Sequence, residues 1–328
     1  MTKHNVLALL RDSDAPISGQ VIADCLNISR TAVWKAVDAL RKEGYEIASR
    51  QKEGYRLLSA TSRLSEEEIR HHLSGHPWQD SVAVIAQVES TNDLVKQLAT
   101  AGAPEGTCIV AESQSKGRGR LGRSFHSPEG MGIYFSVLLR PDVLPAQVMH
   151  LTAAAALAIA DAIEEQTGWR ADIKWVNDLM GSGKKLCGIL TELSVELESG
   201  RAEYIVVGVG LNCCQLPSDF PPEISEIATS LAIQTGRLPD RNALVAAIVR
   251  AMYRLKETML SEQDAIMNRY RERCITLGKP VQILRPTGAI PAFALDCDRE
   301  AALLVEYPDG TRAKISSGEV TIRPLQGT

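Results

Sequence analysis

Residues 111–123 concentrate the side chains that bind anions. Three glycines alternate with four cations in this stretch, and Glu112 is its only acid. Glycine lets a backbone approach a ligand closely, and the arginine guanidinium donates paired hydrogen bonds to phosphates and carboxylates. Because the apolar run 107–110 predicts a strand just before it, we expect a mobile loop that covers an anion. The same composition is typical of basic segments that bind nucleic acid, so the stretch alone leaves both interpretations open.

The bulk composition is that of a globular protein. The 328 residues predict about two domains, and 45% hydrophobic with 23% charged residues is ordinary for this class. A net charge of −4 excludes a surface that binds nucleic acid all over, but not a local basic patch. The seven cysteines form no metal-binding pattern, which predicts reduced thiols and no structural zinc.

The start of the chain and its apolar runs bear on localisation. The N-terminus has no signal-peptide pattern. No apolar run approaches the roughly 20 residues that span a bilayer. Residues 151–163, the most apolar run, predict a buried helix. We therefore expect a cytoplasmic protein without a membrane partner.

Residues 1–62 have the pattern of a winged helix-turn-helix. Val6, Leu7 and Leu10 give a first helix its apolar face, and Ser18 and Ser29 are N-cap residues for two more helices, over Gly19–Leu26 and 30–43. Segments 46–50 and 55–58 then predict a hairpin, the wing. This part carries nine Lys and Arg against seven Asp and Glu, whereas the remainder carries 27 against 33.

The third helix is the expected recognition helix, because the first turn of such a helix reaches base edges. The residues predicted to contact DNA are Ser29, Arg30, Thr31 and Lys35 on this helix, with Arg50 and Lys52 in the wing. A winged helix that binds a protein instead of DNA remains open.

The rest of the chain predicts two further domains, 63–272 and 273–328. In the first, strands at 82–88, 107–110, 132–139, 172–175, 186–195 and 204–212 alternate with helices, and the segment 177–185 separates two strands. Neither a G-x-G-x-x-G turn nor a phosphate-binding P-loop is present, which favours a mixed-sheet α+β domain over a Rossmann fold. The second domain has short, evenly spaced strands that predict a small β-barrel.

Five motifs occur in one order along the central domain. They are Ser90-Thr91-Asn92; Gln114 with Gly117-Arg118-Gly119-Arg120 and Gly122-Arg123; Lys174-Trp175-Val176-Asn177-Asp178; Lys185-Leu186-Cys187-Gly188-Ile189-Leu190; and Gly208-Val209-Gly210-Leu211-Asn212. This set resembles the biotin protein ligases. With the winged helix and the C-terminal barrel, the whole chain resembles the bacterial ligases that also repress the biotin operon.

The resemblance implies a fold and a reaction. It implies a multidomain α+β protein with a winged helix-turn-helix, a central class II synthetase-like domain of the biotin/lipoate ligase type, and an SH3-like β-barrel. ATP activates biotin to biotinoyl-5′-AMP, releasing pyrophosphate, and a lysine of the biotin carboxyl carrier protein of acetyl-CoA carboxylase then accepts the biotin. The adenylate-bound protein is expected to form a homodimer that binds biotin operator DNA.

The resemblance also implies site residues. Those implied to bind biotin are Ser90, Thr91, Asn92, Gln114, Gly117, Arg118, Arg120, Lys185, Gly208 and Gly210. Those implied to bind ATP or the adenylate are Arg118, Arg120, Arg123, Asn177, Lys185, Asn212 and Arg323. Arg118, Lys185 and Asp178 are the implied catalytic residues, and Asp178 is the implied Mg²⁺ ligand. For Ser90 and Thr91, a helix cap is the alternative role.

The chain departs from the family pattern at two positions and in one segment. Phe125 stands where relatives often have tryptophan, and Val176 replaces a common proline. Residues 215–229 match a flexible loop that covers adenine but contain no tryptophan, so any aromatic wall would come from Phe220.

Three other functions compete with a ligase that represses. A ligase whose winged helix does not repress differs only in operator binding. A lipoate-type acyl–protein ligase is disfavoured by the complete Gly-Arg-Gly-Arg loop and by the winged helix. A DNA-binding sensor with an inactive ligase domain is disfavoured because Arg118, Asp178 and Lys185 are all present.

Overall fold

The N-terminal part is a helix-turn-helix followed by a two-stranded wing. The structure, a computed structural model, describes residues 2–13, 15–50, 53–59, 61–285, 288–316 and 319–322. Helices α1 (Thr2–Arg11), α2 (Gly19–Leu26) and α3 (Arg30–Lys42) precede the antiparallel strands β1 (Glu46–Arg50) and β2 (Gly54–Ser59). The side chains of Ser18 and Ser29 accept hydrogen bonds from the first turns of α2 and α3, so the predicted caps and the helix-turn-helix are confirmed.

The central part contains seven helices and seven strands among its described residues. In chain order these are α4 (Glu66–His72), β3 (Val82–Val88), α5 (Thr91–Thr100), β4 (Cys108–Gln114), β5 (Gly132–Leu139), α6 (Val148–Thr167), β6 (Asp172–Lys174), β7 (Asp178–Gly181), β8 (Lys184–Val195), β9 (Ala202–Asn212), α7 (Pro222–Ser225), α8 (Leu231–Thr235), α9 (Arg241–Thr258) and α10 (Gln263–Arg273). Short 3₁₀ turns lie at Arg120–Gly122, Pro145–Gln147 and Pro217–Asp219.

These strands form one mixed sheet in the order β3-β4-β5-β9-β8-β7-β6. Only the β3–β4 pair is parallel within it, and the other pairs are antiparallel. The predicted mixed-sheet domain is therefore confirmed. All eight residues of β5 are buried, because this central strand is covered by α5 on one side and by α9 on the other.

Two predictions about loops were wrong. The predicted loop at 111–123 begins later, because residues 111–114 extend β4, where Gln114 still pairs with Val88 of the neighbouring strand. The predicted connection 177–185 contains β7, which pairs with β6 and β8. In both places backbone groups find partners in neighbouring strands, which the local apolar pattern does not reveal.

The long helix α6 belongs to the core. Together with the preceding turn it forms an apolar segment, Pro145–Thr167, that is long enough to cross a membrane, yet 67% of its most apolar window is buried inside the protein. Its small side chains, among them Ala153, Ala154 and Ala156, are buried, and the helix packs against α9 and β8. Such burial is typical of a core helix.

The C-terminal part is an antiparallel sheet. Strands β10 (Lys279–Arg285), β11 (Gly288–Cys297), β12 (Leu303–Glu306), β13 (Arg312–Ile315) and β14 (Glu319–Ile322) lie in the order β13-β12-β11-β10-β14. Over the described residues the sheet is open, because no pairing of β13 with β14 closes it. The predicted barrel is therefore not confirmed; only its antiparallel strands are.

The segment between the wing and α4 is held by a buried network. Arg241 forms an ion pair of 2.7 Å with Glu112 and donates to the carbonyl oxygen of Ser62. Glu112 accepts a hydrogen bond from the amide of Leu64, and Asn242 donates to the carbonyl oxygen of Arg63. The predicted domain boundaries after residues 62 and 272 stay predictions; the chain runs from β2 to α4 across 60–65 and from α10 to β10 across 274–278.

Candidate functional site

Glycines from adjacent strands form the floor of a cavity on the sheet. Gly188 of β8 lies opposite Gly210 of β9 in the strand register, and Gly208, two residues before Gly210 on β9, lies opposite Leu190. A Cβ on Gly210 would approach the Phe125 ring to 2.6 Å, and one on Gly188 would approach Lys185 Nζ to 3.0 Å. A Cβ on Gly208 would overlap the side chain of Asn92. Glycine at 208 and 210 therefore leaves room for Asn92 and Phe125 over the sheet.

A polar network closes one end of the cavity. Ser90 caps α5 by accepting a hydrogen bond from the Asp93 amide. Gln114 Oε1 accepts hydrogen bonds from the amide and the hydroxyl of Thr91, at 2.8 and 3.1 Å. The buried Asn92 donates to Glu192 and accepts from Ser136. The helix cap does not exclude a ligand contact, since Ser90 and Thr91 both line the cavity; that contact stays a prediction.

The glycine–arginine loop folds back on itself above this floor. Phe125 donates its amide proton to the carbonyl oxygen of Gly117, and Gly119 donates to that of Arg123. A Cβ on Gly117 would lie 2.5 Å from the Phe125 carbonyl oxygen, so the turn requires glycine there. Arg118 Nε lies 3.0 Å from Asp93 Oδ2, which ties the loop to the first turn of α5.

Two further cations of the cavity, Lys185 and Arg120, have polar partners. Lys185 Nζ lies 2.7 Å from Asp178 Oδ1. Arg120 Nη1 donates to Asn177 Oδ1 at 2.9 Å, and Asn177 donates in turn to the carbonyl oxygen of Ile189. Amide and carboxylate groups therefore hold both cations in place over the glycine floor.

The cavity encloses a volume of about 140 Å³ and brings most of the predicted residues together. The predicted site residues that line it are Ser90, Thr91, Asn92, Gln114, Arg118, Arg120, Arg123, Asn177, Asp178, Lys185, Gly208 and Gly210. Gly117 and Asn212 do not line it. Gly117 belongs to the loop itself, and Arg323 lies outside the described residues. The ligand contacts of Gly117, Asn212 and Arg323 stay predictions.

Asn212 holds a neighbouring segment instead of facing the cavity. It is buried, donates to the carbonyl oxygen of Thr229 and accepts from Gln215. The same segment is bound to the strand edge at Lys185, whose amide donates to Ile227 and whose carbonyl accepts from Thr229. Phe220 is buried and does not line the cavity, so it supplies no aromatic wall.

Sequence reasoning missed several lining residues. Lys174, Trp175, Gly188 and Leu190 line the cavity. They belong to the sequence motifs, but the sequence assigned none of them a role. Val320 comes from β14 and reaches the cavity from the C-terminal sheet. The motif Lys174–Asp178 carried a signal for the first two, and the predicted nucleotide contact of Arg323, three residues after Val320, carried one for Val320.

The chemistry available in the cavity is recognition and charge neutralisation. Asp178 is the one carboxylate among its lining residues, and the described residues contain no group of three or more His, Cys, Asp and Glu that could hold a metal ion by themselves. Burial raises the pKa of the Cys187 thiol far above its usual value, which leaves that thiol protonated. Five arginine and lysine side chains against one carboxylate give the cavity a positively charged lining, which suits anionic ligands.

The winged helix presents a separate polar surface. Ser29, Arg30, Thr31 and Lys35 are all exposed along the start of α3. Trp34, on the same helix, is 56% exposed and was not predicted as a contact. Lys52 lies outside the described residues, and Arg50 is described only as the last residue of β1. The four exposed side chains lie where a recognition helix meets DNA.

Known families match both parts of the chain. The Biotin/lipoate A/B protein ligase family matches residues 84–212, and an HTH domain matches residues 2–56. The solved biotin protein ligase of Aquifex aeolicus in complex with biotin and ATP is 29% identical, with a TM-score of 0.63 over 74% of this chain and 99% of that chain. The fold and the site thus define a class of protein, in which a helix-turn-helix domain precedes a ligase domain of the biotin/lipoate family.

Full-length relatives narrow this class to a family. The bifunctional ligase/repressor BirA of Bacillus subtilis (strain 168) is 38% identical over 93% of this chain and 94% of its own length. The biotin–[acetyl-CoA-carboxylase] ligase of Mycobacterium tuberculosis is 31% identical over 78% of this chain and 95% of its own length. The chain belongs to the BirA family of bifunctional ligase/repressors.

Proposed function

We propose that this protein is an ATP-dependent biotin protein ligase that also represses transcription of biotin synthesis genes. The observation that carries the catalytic part is one continuous cavity. Its polar end, at Thr91 and Gln114, is followed over a glycine floor by three cations, Arg118, Arg120 and Lys185. A molecule with a hydrogen-bonding ring, an apolar chain and a carboxylate fits this order of groups.

In the first half-reaction, biotin's carboxylate attacks the α-phosphorus of ATP. Thr91 and Gln114 hydrogen-bond the ureido ring, and Gly208 and Gly210 leave room for it against the sheet. Arg118, Arg120 and Lys185 neutralise the carboxylate and the α-phosphate, because two anions repel each other unless cations lie between them. The products are biotinoyl-5′-AMP and pyrophosphate. Arg123 and Asn177, which line the cavity, are proposed as further contacts of the nucleotide, together with Arg323 and with Asn212 beside the cavity.

In the second half-reaction, a lysine of an acceptor protein attacks the mixed anhydride. We propose the biotin carboxyl carrier protein of acetyl-CoA carboxylase as the acceptor, which the name of the Mycobacterium tuberculosis relative supports. Asp178 lies 2.7 Å from Lys185 at the reacting centre, where its carboxylate orients the incoming amine and accepts its proton. AMP leaves with the electron pair of the broken bond.

Mg²⁺ fits this site as a partner of the phosphates. Magnesium is commonly held by one or two carboxylates, substrate phosphates and water, and Asp178 provides one carboxylate beside the cations. When bound with ATP, the ion would neutralise phosphate charge. An SH3-like barrel for the C-terminal sheet and a class II synthetase-like fold for the central domain are also part of the proposal.

Repression is proposed to act through α3 and the wing. Arg30, Thr31 and Lys35 would contact an operator half-site, and a homodimer formed with bound biotinoyl-AMP would contact two half-sites, so that the adenylate is a corepressor. Arg118 belongs to this coupling as well, if closure of its loop completes the dimer surface. An Arg118→Gly variant that still retains the adenylate and still responds to it as a corepressor would rule the loop out.

Two assays on one preparation test the proposal. Labelled biotin or labelled lipoate is supplied with ATP, Mg²⁺ and an apo carrier domain, and biotin alone should label the carrier; labelling by lipoate alone would support the lipoate-type alternative instead. DNA from the promoters of the biotin genes is then titrated at a stated salt concentration with and without biotin and ATP. Catalysis without ligand-dependent DNA binding would mean a ligase that does not repress.

A further inference from the structure

Lys174 stands apart from the other cations of the cavity. Arg118 pairs with Asp93, Arg120 with Asn177, and Lys185 with Asp178. Lys174 also lines the cavity, yet within the described chain it has neither an ion-pair nor a hydrogen-bond partner. Arg123, the remaining cation of the lining, also has an interaction within the chain. A half-buried ammonium beside four cations that already have partners has unused capacity for an anion.

The strand register places Lys174 at the far end of the glycine floor. Lys174 lies opposite Asp178, which lies opposite Gly188, which lies opposite Gly210. Directly opposed residues of antiparallel strands share a face of the sheet, so these four positions form one row. With strands roughly 4.8 Å apart, Lys174 lies about 14 Å from Gly210 and about 5 Å beyond Asp178.

The direction of the first half-reaction follows from this row. Biotin is proposed to lie toward Gly210 and the Thr91–Gln114 end, with its carboxylate near Lys185. In a phosphoryl or nucleotidyl displacement the attacking and leaving oxygens lie roughly in line. A carboxylate that arrives from the Gly210 side therefore expels its leaving group toward Lys174.

We infer that Lys174 binds the β- and γ-phosphates of ATP and the pyrophosphate leaving group. As the carboxylate oxygen bonds to the α-phosphorus, the bond from that phosphorus to the bridging oxygen breaks, and pyrophosphate carries away the electron pair. The ammonium group neutralises the charge that develops on it. Trp175, next to Lys174 in the chain, and Val320 both line the cavity, and their apolar side chains limit access of water to it. This inference rests on the proposed ligase function.

The test separates the two half-reactions. Biotin-dependent exchange between ATP and labelled pyrophosphate reports the first, and transfer from preformed biotinoyl-AMP to the carrier domain reports the second. Lys174→Gln should raise the pyrophosphate concentration needed for half-maximal exchange by about 10- to 100-fold, the loss of one charge-assisted hydrogen bond, and leave transfer within about 2-fold. Lys174→Arg should restore most of the exchange.

A matched control removes the same charge elsewhere. Lys314, an exposed lysine of β13, pairs with Asp298 and does not line the cavity, so Lys314→Gln should exchange like the unaltered protein. Equal exchange in Lys174→Gln and Lys314→Gln overturns the inference, as does an equal loss of exchange and transfer in Lys174→Gln. Absence of biotin-dependent exchange in the unaltered protein would instead refute the ligase function itself.

Discussion

At the scale of single residues, the cavity is arranged before a ligand arrives. Asp93, Asn177 and Asp178 hold Arg118, Arg120 and Lys185 at fixed points over the glycine floor. Long cationic side chains lose rotamer freedom when they bind, and their polar partners have already restricted much of that freedom. The substrate anions then replace or join these partners instead of ordering the side chains anew.

The glycine floor makes a specific steric prediction. A Cβ at Gly210 would lie 2.6 Å from the Phe125 ring, so Gly210→Ala should push the ring into the space proposed for biotin. Overpacking of this kind costs about 1–3 kcal/mol, which corresponds to roughly a 5- to 150-fold rise in the dissociation constant of biotin. Isothermal titration calorimetry measures this constant.

A double-mutant cycle controls this experiment. In a Phe125→Ala background the added methyl group meets no ring, so Gly210→Ala should there change biotin affinity by less than about 2-fold. Equal losses in both backgrounds would show that the methyl group acts on something other than Phe125.

Asp178 is the residue whose role differs most between the two half-reactions. With its carboxylate replaced by an amide, the amine of the acceptor loses its proton acceptor, and Asp178→Asn should slow transfer from preformed biotinoyl-AMP by about 10²-fold or more. Asp172→Asn, at an exposed position in the neighbouring strand β6, is the matched control. Single-turnover transfer at the rate of the unaltered protein would remove Asp178 from this step.

At the scale of elements, a buried histidine lies where α6 packs against α9. His150 of α6 is buried, and its Nε2 lies 3.1 Å from the carbonyl oxygen of Met259, which follows α9. Burial lowers the pKa of this imidazole below its usual value of 6.5, so the folded protein holds His150 neutral. The α6–α9 packing therefore depends on an uncharged side chain at this position.

The sign of the pH dependence follows from this shift. Above pH 6.5 His150 is neutral in both the folded and the unfolded protein and does not affect the free energy of unfolding. As the pH falls below 6.5, the unfolded chain binds a proton at this residue before the folded protein does. The free energy of unfolding should fall by up to about 1.4 kcal/mol per pH unit from this group. Urea titrations at several pH values between 7 and 5 give the free energy of unfolding as a function of pH. In His150→Gln this free energy should fall less steeply with pH, by up to that amount per unit. The same steepness in both proteins would contradict the assignment to His150.

At the scale of the whole molecule, the winged helix is joined to the ligase domain by several polar contacts. Lys3 lies 3.3 Å from Glu67, Arg11 pairs with Glu68, and Tyr45 hydrogen-bonds Ser65 at 3.0 Å. The linker between these domains is bound by the Glu112–Arg241 pair, and Glu112 lies on the strand that ends at Gln114 of the cavity. One buried ion pair thus contacts both the linker and the strand that leads into the site.

Breaking that ion pair should be costly. Arg241→Met leaves the Glu112 carboxylate buried without its cation, which is expected to lower the free energy of unfolding by about 3–5 kcal/mol. The double variant Glu112→Gln with Arg241→Met removes the unpaired buried carboxylate and keeps a hydrogen-bond acceptor for the Leu64 amide. It should recover a large part of the loss in urea-induced unfolding, and a double variant as unstable as Arg241→Met would disprove this account.

The sequence by itself determined the elements and the residue types of the site. Serine caps, apolar periodicity and glycine positions are local features, and they were sufficient for the helix-turn-helix, most strands of the mixed sheet and the ordered set of motifs. The resemblance carried by those motifs named the ligase/repressor family, to which the chain belongs.

Only the tertiary structure decided which of those residues face one another. The row Lys174, Asp178, Gly188 and Gly210 depends on the register of four strands, Asn212 is drawn to Thr229 and away from the cavity, and Glu112 meets Arg241 across 129 positions. The physical reason is that such pairings are set by long-range backbone hydrogen bonds and packing, whereas local sequence patterns report only which face of its own element a residue occupies.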